Sequence, residues 1–458
     1  MTNLPDEISE PMQAAADHLA GARDRELPED VSAKTCQHIL DTVAAMVTGA
    51  RLEPGRLGIA YVRSQGGVPE AQVIGTDLLT NATSAALANG ISAHADETDD
   101  SHAPSFSHPG CAVVPAALAV AERHGRSGTD LVRAVAAGYD LGCRITPMLG
   151  MSGFAKHGAS RSSHAMVSVW GAAAAAAALE DLTSEQVRWV LSYTAQQSSG
   201  VTTWLRDERH VEKAFVFGGM GSRNGVAAAT MVAAGFDGVG DVFTGHPNYL
   251  DALSSDADLG LLSDGLGERY EVIRTNIKKY AVGSPAQAAI QATEDLIAGE
   301  GLTADQVERM EVYLPADLAE IVDGRHMPDI NCQYLVAGTL LDGGFSFGMA
   351  HDDARMRSDD IRALMERIDL LPDETTRGSR QGRVIVHRPD GSRCERFVEA
   401  VEGTAENPMP PEAVVAKCRD LLDPILGASD AQRLITLLLE PERIEDVRDL
   451  RPLLAGPS

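Results

Sequence analysis

The chain has 458 residues, 44% of them apolar and 23% charged, which is the make-up of a globular protein and excludes a disordered or fibrous one. Its length exceeds what one hydrophobic core supports and points to more than one domain. A formal charge of −27 repels phosphate backbones and anionic headgroups, which argues against nucleic acid and membrane partners and requires a local basic pocket for any anionic substrate.

The N-terminal stretch Met1-Thr2-Asn3-Leu4-Pro5-Asp6-Glu7 is acidic and lacks the basic-then-apolar order of a secretory signal. No stretch reaches the about 20 apolar residues of a membrane span, so a cytoplasmic location is expected. Residues 8–250 read as one helix after another, rich in alanine, with apolar residues three and four apart, as in Ile39, Val43, Ala44 and Val47. Leu87, Ile91 and Ala95 mark a helix that cannot continue through Pro104 and Pro109. The run Gly171–Leu179 is almost all alanine and predicts a buried central helix whose backbone packs close to its neighbours. Thr183-Ser184-Glu185-Gln186 has the form of a capping box.

After about residue 265 the texture changes. Thr303-Ala304-Asp305-Gln306 offers a second capping box, and Val307–Leu314 alternates like a strand. Val384–His387 and Cys394–Val398 flank a Pro389-Asp390-Gly391 turn, a hairpin signal. Residues 410–453 return to helical patterning. The expected fold is mainly α with a second α+β domain: a large helical domain over 1–265, completed by 404–458, and a smaller α+β lid domain over 266–403. The six cysteines are dispersed, without a C-x-x-C pair, and read as reduced core thiols.

Chemistry concentrates in His94-Ala95-Asp96-Glu97-Thr98-Asp99-Asp100-Ser101-His102-Ala103-Pro104-Ser105-Phe106-Ser107-His108-Pro109-Gly110, a helix end followed by a loop. With an ordinary pKa of about 6.5, His102 or His108 exchanges protons at neutral pH, and Asp96 is placed to orient an imidazole. The bland alternative is a solvated polar loop, and a third is a cation site built from Asp99, Asp100, His102 and His108. The spacing of the two histidines matches no zinc motif. His94, on the helix, reads as a core histidine. Lysine is scarce, so Lys213, ahead of the apolar Ala214–Phe217, attracts notice as the edge of a buried pocket. Arg206 and Arg223 are candidates for gripping a carboxylate.

The chain resembles the MmgE/PrpD family over most of its length. The resemblance rests on Asn89-Gly90 through Asp96, His108-Pro109-Gly110 leading into Val114-Pro115-Ala116-Ala117-Leu118, Gly171 with its alanine run, Arg223-Asn224-Gly225, Lys278-Lys279-Tyr280 and Leu340-Leu341-Asp342-Gly343. It implies that Asp96, His102 and His108 form the active-site loop, that Lys213, aligned with a one-residue gap, is the catalytic or anion-binding lysine, and that Tyr334 is the lid tyrosine. Two departures stand out. Ser162 occupies the place of a family histidine, with His164 two residues on, and Gln287 stands where the family has another. The resemblance also implies a homodimer, no metal and no cofactor.

The expected activity is that of a cofactor-free lyase or isomerase moving protons next to a carboxylate of a hydroxy- or polycarboxylic acid. Dehydration of a 2-methylcitrate-like acid comes first, with epimerisation or decarboxylation as alternatives. A metal-dependent hydratase and a non-catalytic metabolite-binding relative remain as other readings. Asp96, His102, His108 and Lys213 are the expected catalytic groups; Ser162, His164, Lys278, Gln287 and Tyr334 are expected to hold the substrate, in a cleft between the domains.

Overall fold

A computed structural model describes residues 7–151, 160–376 and 380–456. Residues 1–6 of the acidic N-terminal stretch lie outside the described residues. By its internal contacts the chain forms two compact units. One comprises residues up to Ala95, Asp99–Asn276 and the tail from Pro411; the other comprises Asp96–Thr98 and Ile277–Pro410.

The first unit is helical. Its main elements are α1 (Glu10–Ala20), α2 (Glu29–Gly49), α3 (Glu53–Gln65), a minimal strand pair β1 (Ala71–Gln72) and β2 (Leu79–Thr80), α4 (Ala82–Ala93), α5 (Gly110–His124), α6 (Gly128–Met148), α7 (Ser163–Leu179), α8 (Ser184–Gln197), α9 (Val211–Ala214) and α10 (Met220–Ala233). Every residue of α7 is buried, as a helix with an alanine surface on all sides must be if its burial is to contribute. Its partners are α5, α6, α8 and α10. The approach of α6 is close enough that a Cβ on Gly142 would lie 2.8 Å from the Cα of Gly171, and one on Gly138 would lie 2.8 Å from the Gly171 carbonyl oxygen. Small residues here let backbone dispersion contacts replace side-chain packing. Thr183 and Gln186 form the expected reciprocal capping box at the start of α8. No helix among the described residues is long and apolar enough to cross a membrane.

Between α9 and α10 the backbone makes a π turn, Phe215–Gly219. The turn begins two residues after Lys213, and π turns of this kind are frequent at functional sites. It packs on α4 because Gly218 carries no side chain: a Cβ there would sit 2.0 Å from the Gly90 carbonyl oxygen.

The second unit is α+β. Its sheet has the order β4 (Ile368–Asp373), β3 (Arg309–Pro315), β5 (Gly382–His387), β6 (Arg393–Val398), parallel between β3 and β4 and antiparallel elsewhere. Met310, Val312 and Leu314 of β3 point into the core with helix Gln287–Glu300 and helix Cys332–Asp342. The β5–β6 hairpin closes through Gly391, whose φ of 83° suits glycine.

Candidate active site

The His/Asp-rich segment is buried, not solvated. Asp99, Asp100 and His94 have no exposed side-chain surface, and His108 retains 11%. Buried charges are tolerated only when paired, so their partners define their roles. His94 caps the C-terminus of α4, and its Nδ1 lies 2.9 Å from Asp99 Oδ1. The other oxygen of Asp99 lies 3.6 Å from His108 Nδ1. One carboxylate therefore serves two imidazoles. The carboxylate beside His108 in this unit is that of Asp99, which the linear order did not single out for it.

Asp100 builds the frame. It accepts the Gly110 N–H (3.0 Å) and the Tyr139 hydroxyl (2.5 Å), and pairs with His38 at 3.1 Å. Gly110 is required there, since a Cβ would lie 2.8 Å from Asp100 Oδ2. His102 accepts the Ser105 N–H at Nδ1 (3.2 Å), which leaves Nε2 to donate to Glu271 at 3.2 Å. Burial holds its pKa below the ordinary value, against the pull of Glu271. A neutral His102 bound at both nitrogens fixes the loop.

The remaining walls come from later segments. Ser162 caps α7 by accepting the Ala165 N–H, and its hydroxyl also receives the Trp204 indole N–H, each at 3.3 Å. His164 stacks on Phe217 with ring centroids 4.0 Å apart and lies 5.4 Å from His108. Phe217, delivered by the π turn, is the hub: His94 stacks on it at 4.3 Å, Trp204 meets it edge-on at 4.6 Å, and His108 lies at 5.4 Å. The half-buried Lys213 places Nζ 5.1 Å from the Phe217 ring centre and 5.6 Å from that of Trp204, a cation held by aromatic faces. His210 adds a further imidazole 5.1 Å from His94. On the other side of the turn, Phe215 and Arg223 line a depression of about 310 Å³ with Leu57, Tyr61 and Ile91. Arg206 is exposed.

Within the second unit, Asp96 accepts the N–H and hydroxyl of Thr98, both at 2.9 Å, and pairs with His351 at 2.9 Å. Burial opposes charge on His351, but the hydrogen bond and charge of Asp96 outweigh it and hold the pKa at about 9. Lys278 donates to the Glu97 carbonyl at 2.8 Å and pairs with its carboxylate at 3.4 Å. Gln287 spends its amide on the chain: it accepts the Tyr280 N–H and donates to the Tyr280 and Val282 carbonyls. Tyr334 donates its hydroxyl to the Met349 carbonyl at 2.7 Å, and burial pushes its pKa up to about 12.

Of the expected site residues, the first unit brings His108, His164, Lys213 and Ser162 to one cluster and sets His102 in its frame. His94, Asp99, Trp204, His210 and Phe217 join that cluster without having been singled out for it. His94 carried a signal, an Asp five residues on across a helix end. Asp99, Asp100, His102 and His108 do not form one cation site, because Asp100 and His102 are committed to the frame. Among the described residues, the ligand atoms of His94, Asp99 and Cys111 lie within 4.8 Å of one another, a set able to hold a cation. An imidazole oriented by a carboxylate, beside an ammonium on an apolar floor, is equipped to move a proton and to stabilise an oxyanion.

Such a helical unit, with its buried His/Asp loop and its lysine, defines a class, and comparison gives the class a name. A model of the MmgE/PrpD N-terminal domain matches residues 13–262, and one of the MmgE/PrpD C-terminal domain matches residues 280–440. The chain belongs to the MmgE/PrpD family. It is similar to the cis-aconitate decarboxylase of Homo sapiens, with 24% identity over 97% of this chain and 95% of that protein. Proteins of the same name from Aspergillus terreus and Mus musculus are each 23% identical, over 94% and 97% of this chain and 93% of their own length.

Proposed function

We propose that the protein is a lyase that decarboxylates an unsaturated polycarboxylic acid of the cis-aconitate type. The observation that carries this reading is the cluster in which His108, backed by Asp99, shares the Phe217 hub with the ammonium of Lys213. The names of the relatives favour decarboxylation over the dehydration expected first. In the step itself, the bond between a carbon and its carboxylate breaks, carbon dioxide leaves, and the electron pair remains on a carbon conjugated to a second carboxylate. Lys213 offsets the charge that develops there. The imidazolium of His108 then delivers a proton to that carbon, and Asp99 stabilises the charged ring before transfer. His164 supplies a second imidazole for a substrate carboxylate.

His102, Gln287 and Tyr334, whose polar atoms are engaged by Glu271, by the backbone of 280–282 and by Met349, are proposed as supports of the backbone. Asp96 and Lys278 are proposed to anchor residues 96–98 within the second unit. The test is a screen of cis-aconitate, citrate-like hydroxy acids and dicarboxylates, followed by NMR for loss of a carboxylate and by ultraviolet absorbance for a new double bond. Turnover of cis-aconitate with release of carbon dioxide, reduced about 10²–10⁴-fold in His108→Ala, is the expected result. A new double bond from a hydroxy acid restores dehydration, and loss of activity on chelation points to a metal-dependent hydratase. Binding without turnover of any acid identifies a non-catalytic relative.

A further inference from the structure

Among the described residues, two that are not glycine adopt a positive φ: Phe106 at 52° and His210 at 60°. This left-handed region crowds a Cβ against the following carbonyl, so it persists only where the surroundings enforce it, and such strain gathers at functional sites. Both residues border the same cluster. The ring of Phe106 lies 5.6 Å from His164, and that of His210 lies 5.1 Å from His94.

His210 stands at a junction. Its carbonyl accepts the Ala214 N–H at 3.1 Å, which opens α9. The preceding turn is tied by Asp207, whose two oxygens accept the N–H groups of Arg209 and Lys213, each at 2.9 Å. The left-handed step at His210 therefore sets the direction in which α9 departs, and Lys213 follows three residues later. The side chain is buried, 4% exposed, and its ring meets His94. That imidazole is stacked on Phe217 and bonded to Asp99. Glycine would take this backbone without strain, yet the position carries a ring that reaches the Asp99–imidazole pair.

We propose that His210 is a positioning residue for the reaction. Its backbone aims the turn that presents Lys213, and its ring holds His94 in register with Asp99, which in turn sets the carboxylate that orients His108. The proposal rests on the lyase reading of the cluster.

The experiment compares the full chain with His210→Gly and His210→Asn, both of which suit a left-handed backbone and delete the ring. Thermal midpoints at or above that of the wild type are expected, because the backbone is relieved. Turnover should fall about tenfold or more with KM changed by less than about threefold, the signature of misplaced groups as opposed to lost substrate contacts. The Nδ1–H proton of His94, read by NMR in histidine-labelled protein, should shift or broaden. Wild-type turnover in both variants, or an unmoved His94 signal, overturns the proposal. If the wild type turns over none of the acids, the lyase reading fails, and the NMR comparison decides by itself whether His210 fixes His94.

Discussion

At the residue scale, the buried polar groups divide by what their atoms do. Asp100, His102 and Gln287 give theirs to the framework, whereas Asp99 divides its carboxylate between two imidazoles. The linear sequence marks the His/Asp segment as chemical but does not separate these roles, because Asp96, Asp99 and Asp100 differ only in the direction that a turning backbone points them. His210 and Phe217 were not legible: a positive φ is uncommon even for histidine, so one histidine in a polar stretch does not announce it, and Phe217 is brought to the histidines by the π turn. The pair His351 and Asp96 carries a pH prediction. The folded pKa of about 9 lies above the ordinary histidine value of about 6.5, so the stabilisation, on the order of 3 kcal/mol, is complete below about pH 6.5 and is lost as the pH rises through 9. Thermal melts across that range should show the wild type losing its advantage over His351→Gln, with the two converging near pH 10. A difference that grows with pH would contradict this pairing.

At the element scale, glycine contacts decide which helices touch. The alanine run predicted a central buried helix, and α7 is one, with Gly171 against α6. The capping box of α8 and the β5–β6 hairpin were likewise readable, since each depends on neighbours in sequence. Strand β4 was not: it pairs in parallel with β3 across more than fifty intervening residues, and Ile368–Asp373 shows no clean alternation of its own. The contact of the π turn with α4 at Gly218 and Gly90 yields a sharp expectation. Gly218→Ala would drive a methyl group into the Gly90 carbonyl, and chemical denaturation should report a loss of about 1–3 kcal/mol or more. A variant as stable as the wild type would mean that the turn relaxes without cost.

At the scale of the whole molecule, a charge of −27 opposes the approach of any polycarboxylate, while the cationic groups of the cluster act only at short range. Raising salt from about 10 to about 150 mM shrinks the reach of the global field more than that of the buried cluster. For a trianionic substrate, kcat/KM should therefore rise roughly two- to fivefold over that interval. A fall with salt would show that local attraction governs capture.

The three residues Asp96–Thr98 group with the second unit although residues on both sides of them belong to the first. No single cut, nor any pair of cuts, separates the two bodies. A fragment excised as 277–410 would leave His351 without its carboxylate and Lys278 without the carbonyl it binds. The tripeptide at the head of the histidine-rich segment thus completes the ion pairs of the second unit, and a fragment meant to keep them has to carry residues 96–98 as well.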